Sequence, residues 1–140
     1  MASDIKREQS IAYLEEARLT LESAGAIFIK SSNEKTLWAQ VVKNCYDAME
    51  QAISAAIAFK GEVIPKDHPA KITKFIELYG RKDEIVQLLL NWLGKRARAQ
   101  YIDIIKGEIS VPHKLFTKKD AELALIDAKK IIEKIRGLIR

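Results

Sequence analysis

Apolar residues recur along most of this chain at alternating intervals of four and three, the spacing that lines one face of an α-helix. From Ser3 to about Lys30 that face is Leu14, Ala17, Leu21, Ala24 and Phe28, and Ser3 is placed to cap the first turn. Ser31, Ser32 and Asn33 then form a polar break. Trp38, Val42, Cys45, Met49, Ala52, Ala56 and Phe59 repeat the same spacing without an error, so a second long helix is the firmest element of the pattern. Gly61 stands at a natural helix end and Pro65 lies in the connection beyond it. Asp67 as cap and Pro69 in the first turn predict a short helix from Asp67 to Tyr79, ending near Gly80.

A further long helix is expected from Asp83 to Ile105, with Val86, Leu90, Leu93, Ala97, Tyr101 and Ile104 as its stripe. Gly94 interrupts it, at about 1 kcal/mol relative to Ala, and marks a candidate close approach of two helices. Gly107 to Phe116, containing Pro112, reads as the longest loop. Thr117 and Asp120 then make a capping-box pattern ahead of a last helix faced by Ala121, Leu125, Ala128, Ile132, Ile135 and Ile139. The fold predicted is all-α, an antiparallel up-and-down bundle of four long helices plus one short helix, forming a single domain over residues 1–140.

Composition sharpens this picture in few places. A chain of 140 residues with 48% hydrophobic and 31% charged side chains can fill one core and solvate it, and disorder is not expected. No apolar run approaches the roughly 20 residues that span a bilayer, and Met1 to Glu8 lacks the apolar core of a signal peptide. The expectation is a cytoplasmic protein without a membrane role. Cys45 is the one cysteine, so neither an internal disulfide nor a thiolate metal cluster can form, and its place on the core stripe predicts a buried thiol.

Lys and Arg outnumber Asp and Glu by 24 to 19, giving a net charge of +5, mildly suggestive of a polyanionic partner. Helical bundles can hold metals through Glu-x-x-His pairs, but no such pair occurs, and the isolated glycines form no phosphate loop. No metal and no cofactor are therefore expected. The chemistry concentrates instead in Lys95, Arg96, Ala97, Arg98, Ala99, Gln100 and Tyr101. At 100° per residue, with Ala97 and Tyr101 on the stripe, Arg96 and Arg98 project to its opposite borders. Across a two-fold dimer, four such guanidiniums would line a groove for phosphate oxygens. The plainer alternative has both arginines lying at the bundle edge and pairing with carboxylates such as Asp103.

Several segments, in this order, resemble the HEPN domain family of prokaryotes and higher eukaryotes: Leu14-Glu15-Glu16-Ala17-Arg18, Cys45 to Ile53, Pro65-Lys66-Asp67-His68, and Arg96-Ala97-Arg98-Ala99-Gln100-Tyr101. The resemblance spans nearly the whole chain. It implies a helical bundle that pairs with a second copy, and a nucleotide- or RNA-directed function. Many members cut RNA without metal, whereas others bind nucleotides or RNA, or partner a separate nucleotidyltransferase in toxin-antitoxin-like pairs. The family's ribonuclease motif is an Arg, commonly followed by a polar residue, with a His four to six positions later. Arg96 matches that Arg, but Ala97 replaces the polar residue and Tyr101 stands where the His would be.

That departure has a chemical consequence. A histidine titrating near 6.5 exchanges protons at neutral pH, whereas a tyrosine near 10 does so poorly, and losing general acid-base help typically sacrifices about 10² to 10⁴ in rate. Binding can survive where cleavage does not. The leading expectation is therefore a nucleotide- or RNA-binding homodimer using Arg96, Arg98, Lys95 and Gln100. A degenerate endoribonuclease is the alternative, with Arg96 steadying charge and Tyr101 or His68 moving a proton, and a purely structural scaffold is the third reading. His68 aligns with a recurrent His of such sequences, and its plain role is a cap or hydrogen-bonding partner at the start of the short helix. His113, in the Pro-containing loop, reads as surface.

Overall fold

The computed structural model describes residues 3–32, 34–80 and 84–139. Asn33 and Asp83, assigned above to the first break and to the start of the fourth helix, lie outside them. Six helices and one hairpin are found among the described residues: α1 (Asp4–Lys30), α2 (Trp38–Phe59), α3 (His68–Tyr79), α4 (Glu84–Gln100), β1 (Asp103–Ile105), β2 (Glu108–Ser110), α5 (Pro112–Leu115) and α6 (Lys118–Leu138).

The caps fall where the side chains allow them. Ser3 accepts from the Lys6 amide and Asp67 from the Ala70 amide, which satisfies first-turn donors that have no partner inside the helix. The capping box at α6 is complete, with the Asp120 amide donating to Thr117 Oγ1 at 3.2 Å and the Thr117 amide to Asp120 Oδ2 at 2.8 Å. Gly61 and Gly80 take positive φ values of 78° and 92° just beyond α2 and α3, a conformation that costs glycine little.

Helix α2 is the axis of the molecule and packs against α1, α3, α4, α5 and α6. Its apolar residues are buried almost all round, a pattern proper to a helix enclosed by others. Ser10 near the start of α1 donates to the Ala55 carbonyl near the end of α2, while Phe28 near the end of α1 packs its ring on Trp38 at the start of α2, 5.3 Å between centroids. The two helices therefore run antiparallel. Glu84 at the start of α4 likewise meets Lys130 and Lys134 late in α6, and Trp92 meets Asp127. The chain is the all-α, up-and-down bundle that the spacing predicts.

Four expectations need correcting, all in one stretch. The buried residues of α4 are Ile85, Val86, Leu89, Trp92 and Ala99, with Leu93 and Arg96 partly buried, while Leu90, Ala97 and Tyr101 are exposed. Val86 and Leu93 face inward as expected, but the centre of the buried face lies one residue earlier than expected, along Ile85, Leu89 and Trp92, where Trp92 is wholly buried and its indole N–H donates 2.8 Å to Asp127 Oδ2. Gly94 is exposed, and a Cβ there would touch nothing, so it marks no close helix approach.

The helix stops at Gln100 rather than Ile105. Residues expected to extend it, or to form a loop, build a hairpin with Ile104 opposite Ile109. Its two-residue turn has φ of 52° at Lys106 and 81° at Gly107, the positive pair that matches strand twist. The rest of the expected loop contains the single-turn helix α5.

Candidate functional site

A polar cluster sits where α2, α3 and α4 meet. Helix α2 contributes Tyr46, Asp47 and Glu50, with Tyr46 and Asp47 each one turn before Glu50. Helix α3 begins beside it and contributes His68 and Lys71 from its first turn. Helix α4 contributes Arg96 from the inward face described above.

Glu50 is the hub, with 7% of its surface exposed. Its Oε2 lies 2.5 Å from His68 Nδ1 and its Oε1 accepts from Lys71 Nζ at 2.8 Å. Burial by itself would push this carboxyl up, but the hydrogen bonds and charges of Lys71 and His68 outweigh it and hold the group below its ordinary value of 4.5. A buried carboxylate paired on both oxygens remains ionised and fixes both partners.

Tyr46 lies between the two halves of the cluster. Its ring meets the His68 imidazole edge-on at 6.0 Å, and its hydroxyl is buried without a hydrogen-bond partner among the described residues. Burial, and next the charge of Glu50, push the phenol well above its ordinary range, while Arg96 pulls it the other way. Tyr46 is therefore a neutral donor at neutral pH, with the Glu50 side and the Arg96 side both acting on it.

Arg96 donates its Nε to Asp47 Oδ1 at 3.2 Å, and 14% of its side chain is exposed. Only that nitrogen is engaged among the described residues, which leaves the two terminal nitrogens of a held guanidinium for an anion. The carboxylate partner is Asp47, which the sequence reading did not name, and not Asp103.

The remaining residues singled out in the sequence are arranged differently. Lys95 lays its ammonium over the Trp92 ring, 4.5 Å from the centroid. Arg98 and Gln100 are exposed, and Arg98 shares a small hollow of about 110 Å³ with Tyr101 and Asp103, making no ion pair there among the described residues. Tyr101 is 60% exposed and stands with Arg98 rather than with Arg96. The expected symmetric flanking of one face by Arg96 and Arg98 is thus absent, because the buried face, centred one residue earlier, takes Arg96 inward and leaves Arg98 outside. The His68 ring meets Tyr46 edge-on, and the charge of Arg96 acts on the same phenol. His113 is exposed on α5, as expected.

Tyr46, Asp47, Glu50 and Lys71 were not picked out by sequence. One signal was available: Asp47 and Glu50 are the only acidic residues of an otherwise strongly apolar α2, and a carboxylate enclosed by neighbouring helices needs a partner. Among the described residues no three His, Cys, Asp or Glu side chains gather as metal ligands, and no helix is long and apolar enough to cross a membrane.

A family model for the HEPN domain matches residues 7–138. The chain belongs to the HEPN family. The match takes in all of α2 to α6 and most of α1, so the whole polar cluster falls inside it. No curated protein and no solved structure matches the chain. Arg96 and Tyr101 both fall inside the match, and Tyr101 lines the hollow that holds Arg98.

Proposed function

We propose that this HEPN protein is a nucleotide- or RNA-binding module that takes a phosphate group at Arg96. The observation that carries the reading is that Asp47 holds the guanidinium through Nε alone, which presents its terminal nitrogens as a pre-set fork for phosphate oxygens. A net charge of +5 adds a long-range attraction for polyanions. Such a module suits the helical half of a toxin-antitoxin-like pair with a separately encoded nucleotidyltransferase. Labelled single-stranded RNA and ATP, titrated against wild type and Arg96→Ala, test it by fluorescence anisotropy. Affinity for both should fall at least several-fold, and unchanged affinity for both removes the assignment. If wild type binds neither, the scaffold reading stands, with the Arg96 and Asp47 pair as its structural contact.

A second reading, metal-independent cleavage of RNA, is favoured by the Glu50 and His68 pair. A carboxylate on Nδ1 fixes the ring and its tautomer and leaves Nε2, on a side chain 39% exposed, to exchange a proton with substrate. Here His68, and not Tyr101, moves the proton while Arg96 steadies the phosphate. RNA incubated with EDTA should be cut by wild type and by Tyr101→Phe but not by His68→Ala. Inert wild type ends this reading and leaves the binding reading untouched.

A further inference from the structure

The hairpin that replaces the end of the fourth helix has one closed edge and one open edge. In an antiparallel pair, directly opposed residues alternate between exchanging both backbone hydrogen bonds and exchanging none. Ile105 and Glu108 flank the two-residue turn and form the first bonded pair, so Ile104 and Ile109 turn their amides and carbonyls outward. On the β1 edge the Asp103 carboxylate accepts the Ile104 amide at 2.8 Å. On the β2 edge no side chain among the described residues takes up the Ile109 amide or carbonyl. An unpaired edge of this kind is a template for another strand, and proteins commonly blunt it.

The surroundings of the β2 edge define the strand that suits it. Side chains alternate across a strand, so Ile104 and Ile109 share one face with Ile102, and the three are 74%, 71% and 70% exposed with no charge among them. On the other side β2 borders α5 across a hollow of about 370 Å³, lined by apolar Ile105, Val111 and Leu115 and by three charged residues, Lys106, Glu108 and Lys114. Lys114 also lines a neighbouring hollow of about 520 Å³ with His113 and Lys118, where no carboxylate takes part. Three lysines therefore stand along this path against one glutamate, and none of the three makes an ion pair among the described residues.

We infer that the β2 edge receives an extended segment of a partner protein in which apolar and acidic residues alternate. Its backbone exchanges the two hydrogen bonds that Ile109 offers, which adds a third strand to the hairpin. The side chain beside Ile109 falls on the isoleucine face, so an apolar residue belongs there. Its neighbours before and after fall on the opposite face, over the hollow between β2 and α5, where the excess of lysine favours carboxylates. Nucleic acid suits this edge less well, because it has no peptide amide and carbonyl to match those of Ile109, and its phosphates would be set against Ile105, Val111 and Leu115. With one residue's pair of backbone groups on offer, the complex is a weak one. The inference rests on the hairpin and α5 and is independent of the phosphate site at Arg96.

The test adds a synthetic peptide of about six residues, alternating Val and Glu, to the isotope-labelled full chain and follows it by NMR. Backbone signals of Glu108, Ile109, Ser110 and Lys114 should shift, and the Ile109 amide should become protected from hydrogen exchange. A peptide with Lys in place of Glu should bind at least several-fold more weakly, and so should the Val-Glu peptide to Lys114→Glu. Methylating the peptide's edge-facing backbone nitrogens removes its donors without touching the protein and should abolish binding. Ile109→Thr keeps a strand-forming, β-branched residue and should also weaken binding several-fold, with circular dichroism confirming that both variants are folded. No shifts at millimolar peptide, equal binding of the Val-Lys peptide, or equal binding of the methylated peptide each overturns the proposal. Single-stranded RNA that displaces the peptide would give the groove to polyanions, and protection of the Ile109 amide that grows with the chain's own concentration would give the edge to a second copy. Either result overturns it too.

Discussion

Arg96 and Asp47, 49 positions apart, meet at 3.2 Å and join α4 to α2 on the inward side of the bundle. Because Asp47 keeps a third of its side chain in solvent, this pair positions the guanidinium more than it stabilises the fold. Arg96→Ala should therefore cost about 1 kcal/mol or less in urea unfolding. The same variant should lose roughly tenfold in affinity for single-stranded RNA, the usual worth of a charge-assisted hydrogen bond. A large stability loss with no loss of binding would make Arg96 a structural residue.

Glu50 sets a pH dependence. Its carboxyl is depressed in the folded protein, so the stability it contributes is fully present above its ordinary value of 4.5 and is lost as pH falls through the lower, folded-state value. Urea midpoints of wild type should drop as pH is taken below 4.5, and those of Glu50→Gln should drop less. At neutral pH, Glu50→Ala should cost about 2 kcal/mol, since it leaves Lys71 and His68 at the edge of the core without their carboxylate.

Trp92 and Asp127 form a buried hydrogen bond that ties α4 to α6. Asp127→Ala strands the indole N–H and should destabilise the protein by about 1 to 3 kcal/mol. Thermal unfolding followed by tryptophan fluorescence measures this, and a variant as stable as wild type would show that the bond does not fix the phase of α4.

Cys45 is wholly enclosed on the core stripe of α2, and burial pushes its thiol up to about 12. At pH 8 an aromatic disulfide reagent should leave it unmodified in the native protein and titrate one thiol in guanidinium chloride. Rapid native labelling would mean that α2 opens far more readily than its packing implies.

Periodicity and capping chemistry alone determined much of this molecule. The extents of α1, α2, α3 and α6 followed from four-three spacing together with Ser3, Asp67, the Thr117 and Asp120 box, Gly61 and Gly80, because caps and helix faces are local properties of ten or so residues. The order of segments likewise marked the HEPN family. In α4 the same spacing was written twice, once as Val86, Leu90, Leu93 and Ala97 and once, one residue earlier, as Ile85, Leu89, Trp92 and Arg96. Local pattern cannot choose between two phases 100° apart. The choice came from contacts distant in sequence, with Asp127 receiving the Trp92 indole and Asp47 receiving Arg96.

The hairpin was partly legible, since Lys106-Gly107 between β-branched isoleucines is a turn signal, but a continuing apolar stripe masked it. Nothing local joined Glu50 to His68 and Lys71, 18 and 21 positions away. Only the packing of α3 against α2 brought those charges together. A buried carboxylate needs a counter-charge, but the chain does not say which of its 24 lysines and arginines or two histidines will arrive.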